Sequence, residues 1–371
     1  MKKLEINRKD LKNNINIIKK FACSRGKDDN GENLKIIGVV KGNGMGLDIV
    51  KYSKFLINNG IEILAVSTVE EAIILRKAKI QTNIILLSPT NLKQELELLI
   101  KNNITITIDN LEQIEIINEI CEKENIKIKA HLKIDTGFGR YGFLYTDIEN
   151  ILKVFENLKY IEIEGTFTHF SKPMDSKWTN LQFNRFLEVI EKIKQNGYSP
   201  GILHCCASTA FFKYRLMHLN AVRIGSAFQG RTLIKCQGLK KIGNFVTSIT
   251  EIKTLPKGYN IGYSNTYKTK SEKRVAIIPV GYNDGLNRNK LRDTFNIKEN
   301  ILSVGIEIKK IFKDNNIKAT INGKKYNILG RIGMCYSVID ITENEEIKVG
   351  DKVYLEISPL QTNEAIRREY I

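Results

Sequence analysis

The chain has 371 residues, 42% of them hydrophobic, and a formal net charge of +17, enough apolar material for two domains or for one large barrel with an appendage. The opening MKKLEINRKDLKNNI lacks the apolar stretch of a secretory signal, and no run reaches the roughly 20 apolar residues of a membrane span, so a soluble, cytoplasmic protein is expected. The lysines are scattered, with no arginine-rich stripe and no interleaved aromatics, which disfavours nucleic acid as a partner and suits attraction of small anions.

Taken in chain order, short apolar or β-branched runs alternate with segments of helical spacing. The runs are LKIIGVV (34–40), EILAVS (62–67), NIILLS (83–88), ITITID (104–109), IKIKAHLKID (126–135), IEIEGTFTHF (161–170), GILHCCAS (201–208) and NAVRIG (220–225). Between them, TVEEAIILRKA, NLKQELELLIKN and NLEQIEIINEICEKE carry apolar residues at i, i+3 and i+4. Strand alternating with helix eight times predicts an α/β fold, a parallel (β/α)8 TIM-type barrel over residues 1–240. GKDDNGEN (26–33) reads as a polar surface loop. Over residues 241–371 helical spacing nearly vanishes. There FVTSITEIKTL, RVAIIPVGY, LSVGIEIKKIF, KATING, YNILGRIG, YSVIDIT and DKVYLEI read as short strands broken by turns, which predicts a C-terminal mostly-β domain.

Barrel enzymes carry their chemistry at the carboxyl ends of the strands and commonly hold phosphate in the loops after strands 7 and 8. Lys41 ends strand 1, Arg140 follows strand 5 in DTGFGR, and His169 ends strand 6. Ser208 ends strand 7, and Arg223, Gly225 and Ser226 end strand 8. Glycine at 225 lets backbone N–H groups face an anion, and the two serine hydroxyls add donors. A lysine desolvated beside arginines has its amine pKa lowered and becomes nucleophilic toward an aldehyde. With a phosphate seat opposite, pyridoxal 5′-phosphate is the economical ligand, and Lys41 the residue that binds it covalently. Blander readings stay beside these: Arg140 as a cap or a partner of Asp135, His169 as a rim histidine. His131, His204 and His218 read as structural, Trp178 as helix packing, and Cys205 and Cys206 as small core residues. The six cysteines lack metal-site spacing and read as reduced thiols, with no metal implied.

These residues lie in motifs that resemble those of the alanine racemase family. VVKGNGMG, HLKIDTGFGRYGF, EGTFTHF, HCCAST, VRIGSAFQG, KGYNIGYSNTY, IPVGYNDG and ILGRIGM occur in that order over nearly the whole chain. The resemblance implies a pyridoxal 5′-phosphate-dependent isomerase that interconverts L- and D-alanine for cell-wall precursors. It also implies a homodimer whose active sites are shared between subunits. Lys41 is implied as the cofactor-binding lysine and one catalytic base, and Tyr263 as the second base, reaching in from the partner subunit. Arg223 is implied at the pyridine nitrogen, Ser208, Gly225 and Ser226 at the phosphate, and His169 beside the cofactor. Arg140 and the backbone at Met334 are implied at the substrate carboxylate, and Lys133 matches a lysine that is often carbamylated in the family.

The chain departs from the family pattern at several places. Met45 stands where a tyrosine usually contacts phosphate, EISPLQTNEAIRREYI lacks the usual tyrosine–arginine pair, and Ala207, Gly333 and Cys335 replace the customary residues. A racemase of serine or another small amino acid therefore stays open beside the alanine reading. So do a non-catalytic pyridoxal-phosphate carrier, which would lack the domain bearing Tyr263, and a decarboxylase, which would normally set a carboxylate where Arg223 stands.

Overall fold

A computed structural model describes residues 2–24, 26, 31, 33–288, 296–311 and 317–371. Its described residues form two units, one spanning Arg8–Ile242 and the other combining Met1–Asn7 with Gly243–Ile371.

The first unit is a ring of eight strands, β1 (Lys35–Val39), β2 (Ile63–Val66), β3 (Asn83–Leu86), β4 (Ile106–Ile108), β5 (Ile128–Asp135), β6 (Ile161–Phe167), β7 (Ile202–Ala207) and β8 (Ala221–Ile224). Strand β8 returns to β1 in parallel register, Ala221 opposite Lys35 and Ile224 opposite Gly38. The remaining seam closes through a parallel bridge between Ile85 and Thr105. The TIM-type barrel expected from the eight runs is therefore present, one strand in each run. Because helices cover the outside and side chains fill the inside, such strands are apolar on both faces; Ile84, Ile85 and Leu86 in succession are at most 1% exposed.

The helices follow their local signals. Helix α1 (Arg8–Cys23) buries Leu11, Ile15, Ile18 and Ala22, a stripe of helical period. Helices α2 (Ile49–Asn58) and α3 (Val69–Lys77) begin at Asp48 and Thr68, whose side chains accept the N–H of Lys51 and Glu71. Each cap satisfies one of the orphan donors of a first turn. Among the described residues no helix is long and apolar enough to cross a membrane.

The second unit is the expected mostly-β domain. Its nine-stranded sheet includes Lys3–Ile6, which pairs antiparallel with Asn244–Ser248 and parallel with Arg367–Tyr370. The first residues thus belong with the β unit and the barrel unit starts at Arg8; KLEI is too short and too charged to announce a strand from sequence. The expected strand LSVGIEIKKIF is corrected: Ile297–Ile311 is an α-helix. Its β-branched residues suggest a strand, but Ile297, Ile301, Val304 and Ile308 recur every three or four positions, and that period prevails. Of the loop expected at 26–33, residues 27–30 and 32 lie outside the described residues.

Candidate active site

Lys41 follows β1 at the head of a left-handed turn. Gly42, Asn43, Gly44 and Met45 all have positive φ, at 63°, 52°, 67° and 55°. A left-handed turn costs roughly 1–2 kcal/mol per residue for ordinary side chains and little for glycine, which explains the GNG of KGNGMG. A Cβ on Gly44 would stand 2.9 Å from the Ile49 backbone. Asn43 tolerates the conformation and accepts the N–H of Ile49 at 3.0 Å. The buried Gln229 donates to the Met45 carbonyl at 2.8 Å and pins the end of the turn.

Glu71 holds the start of the same turn. Its Oε1 accepts the N–H groups of Gly42 (2.5 Å) and Asn43 (3.2 Å), and its Oε2 accepts that of Ser67 (3.0 Å). The Lys41 residue keeps solvent access, yet burial around its amine lowers its pKa; Arg140 and Arg223 lower it further and Glu71 opposes them. Glu71→Gln removes the charge that raises the amine while burial and both arginines remain, so the Lys41 pKa is expected to fall further. The pH dependence of Lys41 acylation in the full chain measures this, and an unchanged or raised value refutes the electrostatic role.

Lys41 lines a cavity of about 620 Å³ at the carboxyl ends of the barrel strands, together with Arg140, His169, Ser208, Arg223, Gly225 and Ser226. All the barrel residues singled out from sequence are therefore brought together. The buried Arg223 engages its two terminal nitrogens fully. Nη1 donates to His204 Nδ1 (2.6 Å) and the His204 carbonyl (3.0 Å), and Nη2 donates to the Thr168 carbonyl (2.7 Å), His169 Nδ1 (3.1 Å) and the Cys205 carbonyl (3.2 Å). Among the described residues Nε–H is the donor of Arg223 left without a protein acceptor. Burial lowers the guanidinium pKa to about 10, so it stays a cation near neutrality. Burial, then Arg223 and the nearby lysines and Arg140, push His169 well below its ordinary value, leaving a neutral ring.

Across the cavity, Ser208 Oγ accepts the N–H groups of Gly225 (3.2 Å) and Ala227 (3.3 Å), tying together the loops after β7 and β8. A Cβ on Gly225 would stand 3.3 Å from Val39 Cβ and 3.6 Å from Met45 Cε, so glycine keeps this cradle open. Met45 lines the cavity as a thioether, with no polar hydrogen to offer.

Arg140 is not paired with Asp135 through its side chain. Burial raises the Asp135 pKa, but four backbone N–H donations, from Gly137, Phe138, Gly139 and Arg140 at 2.7–3.2 Å, outweigh it and bring the carboxyl below its usual range. Asp135 thus folds DTGFGR into a ring of amides, and the Arg140 guanidinium stacks on Phe138 at 4.4 Å. Lys133 sits inside the mouth at 5.1 Å from the Phe167 ring. Burial and the charges of Arg223 and Arg140 bring its amine down to about 8.

Tyr263 and Met334 belong to the other unit, 68% and 53% exposed. The segment around Tyr263 is tightly shaped: Gly262, Ser264 and Asn265 have φ of 78°, 61° and 50°. Gly262 bridges to Arg331, and a Cβ on Gly333 would stand 3.5 Å from the Tyr263 ring, so the loops bearing Tyr263 and Met334 are neighbours. Sequence reasoning missed Glu71, Gln229 and the part that His131 and His204 play around Arg223. Only Glu71 carried a signal, the T-x-x-E of a capping box.

Two family descriptions match the chain: "Alanine racemase, N-terminal domain" over residues 6–232 and "Alanine racemase, C-terminal domain" over residues 242–367. Alanine racemase 2 of Caldanaerobacter subterraneus is 32% identical over 360 residues, covering 95% of this chain and 84% of that protein. The alanine racemase of Methanococcus maripaludis is 30% identical over 358 residues, covering 94% and 87%. The solved alanine racemase of Clostridium difficile 630 superposes with a TM-score of 0.81 at 28% identity, over 98% of this chain and 91% of the other. Both domains and their order thus agree with matches over nearly the full length, and the chain belongs to the alanine racemase family.

Proposed function

We propose that this chain interconverts L- and D-alanine with pyridoxal 5′-phosphate as cofactor, as a cytoplasmic homodimer whose active sites are shared between subunits. The observation that carries the reading is a convergence in one cavity. A lysine amine of lowered pKa, a buried arginine with one unengaged N–H, and the Ser208–Gly225 cradle all line it. These fit the three handles of the cofactor. Lys41 would take its aldehyde, Arg223 Nε–H its pyridine nitrogen, and the Ser208 hydroxyl and Ser226 amide its phosphate, joined by the Gly225 amide once that N–H turns from Ser208 Oγ to the anion. Met45 adds no donor there, so the hydroxyl and the amides must carry the phosphate.

Bound pyridoxal phosphate supplies an electron sink that acidifies the α-C–H of an amino acid joined to it. The chain's own residues decide where the proton goes. Arg223 does not release its proton, so a pyridine nitrogen held at its Nε–H would stay unprotonated and the sink would be weak. That disfavours side reactions that need charge stored on the ring for long. Racemisation removes a proton from one face and returns it to the other, so each face needs a base. Lys41 Nζ serves one face, and Tyr263 of the partner subunit the other. Arg140, steadied on Phe138, orients the substrate carboxylate with the backbone at Met334. A second copy is supported by the exposed Tyr263, Tyr282, Met334 and Tyr336 on the β unit, each at least 49% exposed; exposed aromatic surface of this kind suits association.

Incubating the full chain with pyridoxal phosphate and L-alanine or L-serine, then separating enantiomers, tests the reading. D-alanine formed faster than D-serine is the expected result. Faster D-serine formation transfers the assignment to serine, release of carbon dioxide indicates a decarboxylase, and no turnover indicates a carrier.

A further inference from the structure

The five acceptor atoms around Arg223 include one that leads away from the cavity, into the barrel core. Arg223 has only donors, so the His204 Nδ1 that lies 2.6 Å from Nη1 must be an acceptor. Burial, Arg223 and His131 together hold His204 well below its ordinary pKa. It is therefore neutral, and its proton sits on Nε2. That nitrogen is 2.8 Å from His131 Nδ1, which must in turn accept. Burial also lowers the His131 pKa, against the pull of Glu164, so the His131 proton sits on Nε2. From there it faces Glu164 Oε2 at 3.5 Å, an electrostatic contact rather than a formed hydrogen bond, and this buried N–H has no nearer acceptor among the described residues. Glu164 is held as an anion: the contact with His131, and then Lys129 and Asn83, outweigh burial and bring its pKa to about 2. It is gripped by Lys129 Nζ (2.8 Å) and Asn83 Nδ2 (2.9 Å). The charged groups facing the two rings are thus Arg223, Lys129 and Glu164.

Two further observations indicate that the space is kept for this arrangement. A Cβ on Gly165 would stand 2.7 Å from His131 Cε1. The Phe167 ring stacks on His204 at 4.8 Å with 6° between planes, and lies 5.2 Å from the Arg223 guanidinium. Neutral buried histidines far from an anion need no fixed tautomer; here every ring nitrogen has one role, set by a donor-only group at one end and an acceptor-only group at the other.

We propose that Glu164, His131 and His204 form a one-way relay through the barrel core, in which the Glu164 carboxylate orients the His131 Nε2–H electrostatically and hydrogen bonds carry that orientation through His204 to Arg223. It fixes the tautomer of His204 and so holds the Arg223 guanidinium with Nε–H presented to the cavity. The three are positioning residues: none lines the cavity, and each acts through the next. Its consequence for the cofactor rests on the pyridoxal-phosphate reading above; the relay itself does not.

The chain has only four histidines, so selective nitrogen-15 labelling of histidine in the full chain, without added cofactor, gives four rings to assign. The expected result is that His131 and His204 both carry their proton on Nε2 and stay neutral near pH 7. Either ring found protonated on Nδ1, or found cationic, overturns the relay, whether or not the protein ever binds pyridoxal phosphate. Glu164→Gln then tests transmission. It is expected to shift the His204 nitrogens and the visible absorption band of bound pyridoxal phosphate, and to lower kcat with little change in KM. Unchanged His204 nitrogens and an unchanged band refute the proposal. If Glu164→Gln fails to fold, the tautomers of the parent chain remain decisive. Parent chain that shows the expected tautomers but no absorption band with the cofactor would sink the functional reading and leave the relay standing.

Discussion

Lys41→Ala is expected to abolish racemisation, with kcat falling by about 10⁴-fold or more, because one side chain then takes with it both a covalent anchor and a proton-transfer group. The protein should also stay colourless after incubation with pyridoxal phosphate and gel filtration. The cause lies in the amine's surroundings. Burial lowers its pKa, Arg140 and Arg223 add to that, and Glu71 opposes them. A larger neutral fraction makes the amine a better nucleophile and a better base at neutral pH. The left-handed turn then keeps the backbone beyond Lys41 compact, with Gly44 against Ile49. A Lys41→Ala chain that stayed yellow and active would overturn the cofactor assignment, and the role of Tyr263 with it.

How far these residues could be read from sequence depended on where each stands in the barrel. Lys41, Arg140, His169, Ser208, Arg223, Gly225 and Ser226 were legible because a barrel brings the ends of its strands to one mouth, whatever the details of pairing. All seven line the same cavity. Glu71 was hidden because a glutamate after Thr-x-x is what any capped helix carries; that its carboxylate also reaches the turn after Lys41 is a fact of tertiary packing. The relay was hidden for a sharper reason. Which residues of a strand face inward is set by a period of two, and that count fails at a bulge. The pairing shifts register between Ala130 and His131 on β5, and again between Ala221 and Arg223 on β8. Counting along HLKID or AVRIG therefore does not reveal that His131, His204 and Arg223 converge. The Ile297–Ile311 helix was misread because β-branched composition outweighed period in a short window, and Lys3–Ile6 because its partners lie more than two hundred residues away.

Tyr263→Phe is expected to cut racemisation in both directions by roughly 10²–10⁴-fold, the ordinary worth of a proton-transfer group. Removing only the hydroxyl leaves one base of the pair, so the α-hydrogen of one enantiomer should still exchange with deuterated solvent while that of the other does not. Equal exchange of both, or undiminished racemisation, would remove Tyr263 from the reaction. The source of the phenol is tested by mixing. A Lys41→Ala chain keeps Tyr263, and a Tyr263→Phe chain keeps Lys41; each homodimer lacks one base at both sites. If the phenol comes from the partner, a mixed dimer holds one complete site and one lacking both bases. Random reassortment makes half the dimers mixed, so about a quarter of the parental activity should return. If the phenol served its own subunit, every site in every dimer would still lack a base, and mixing two inactive proteins would restore nothing.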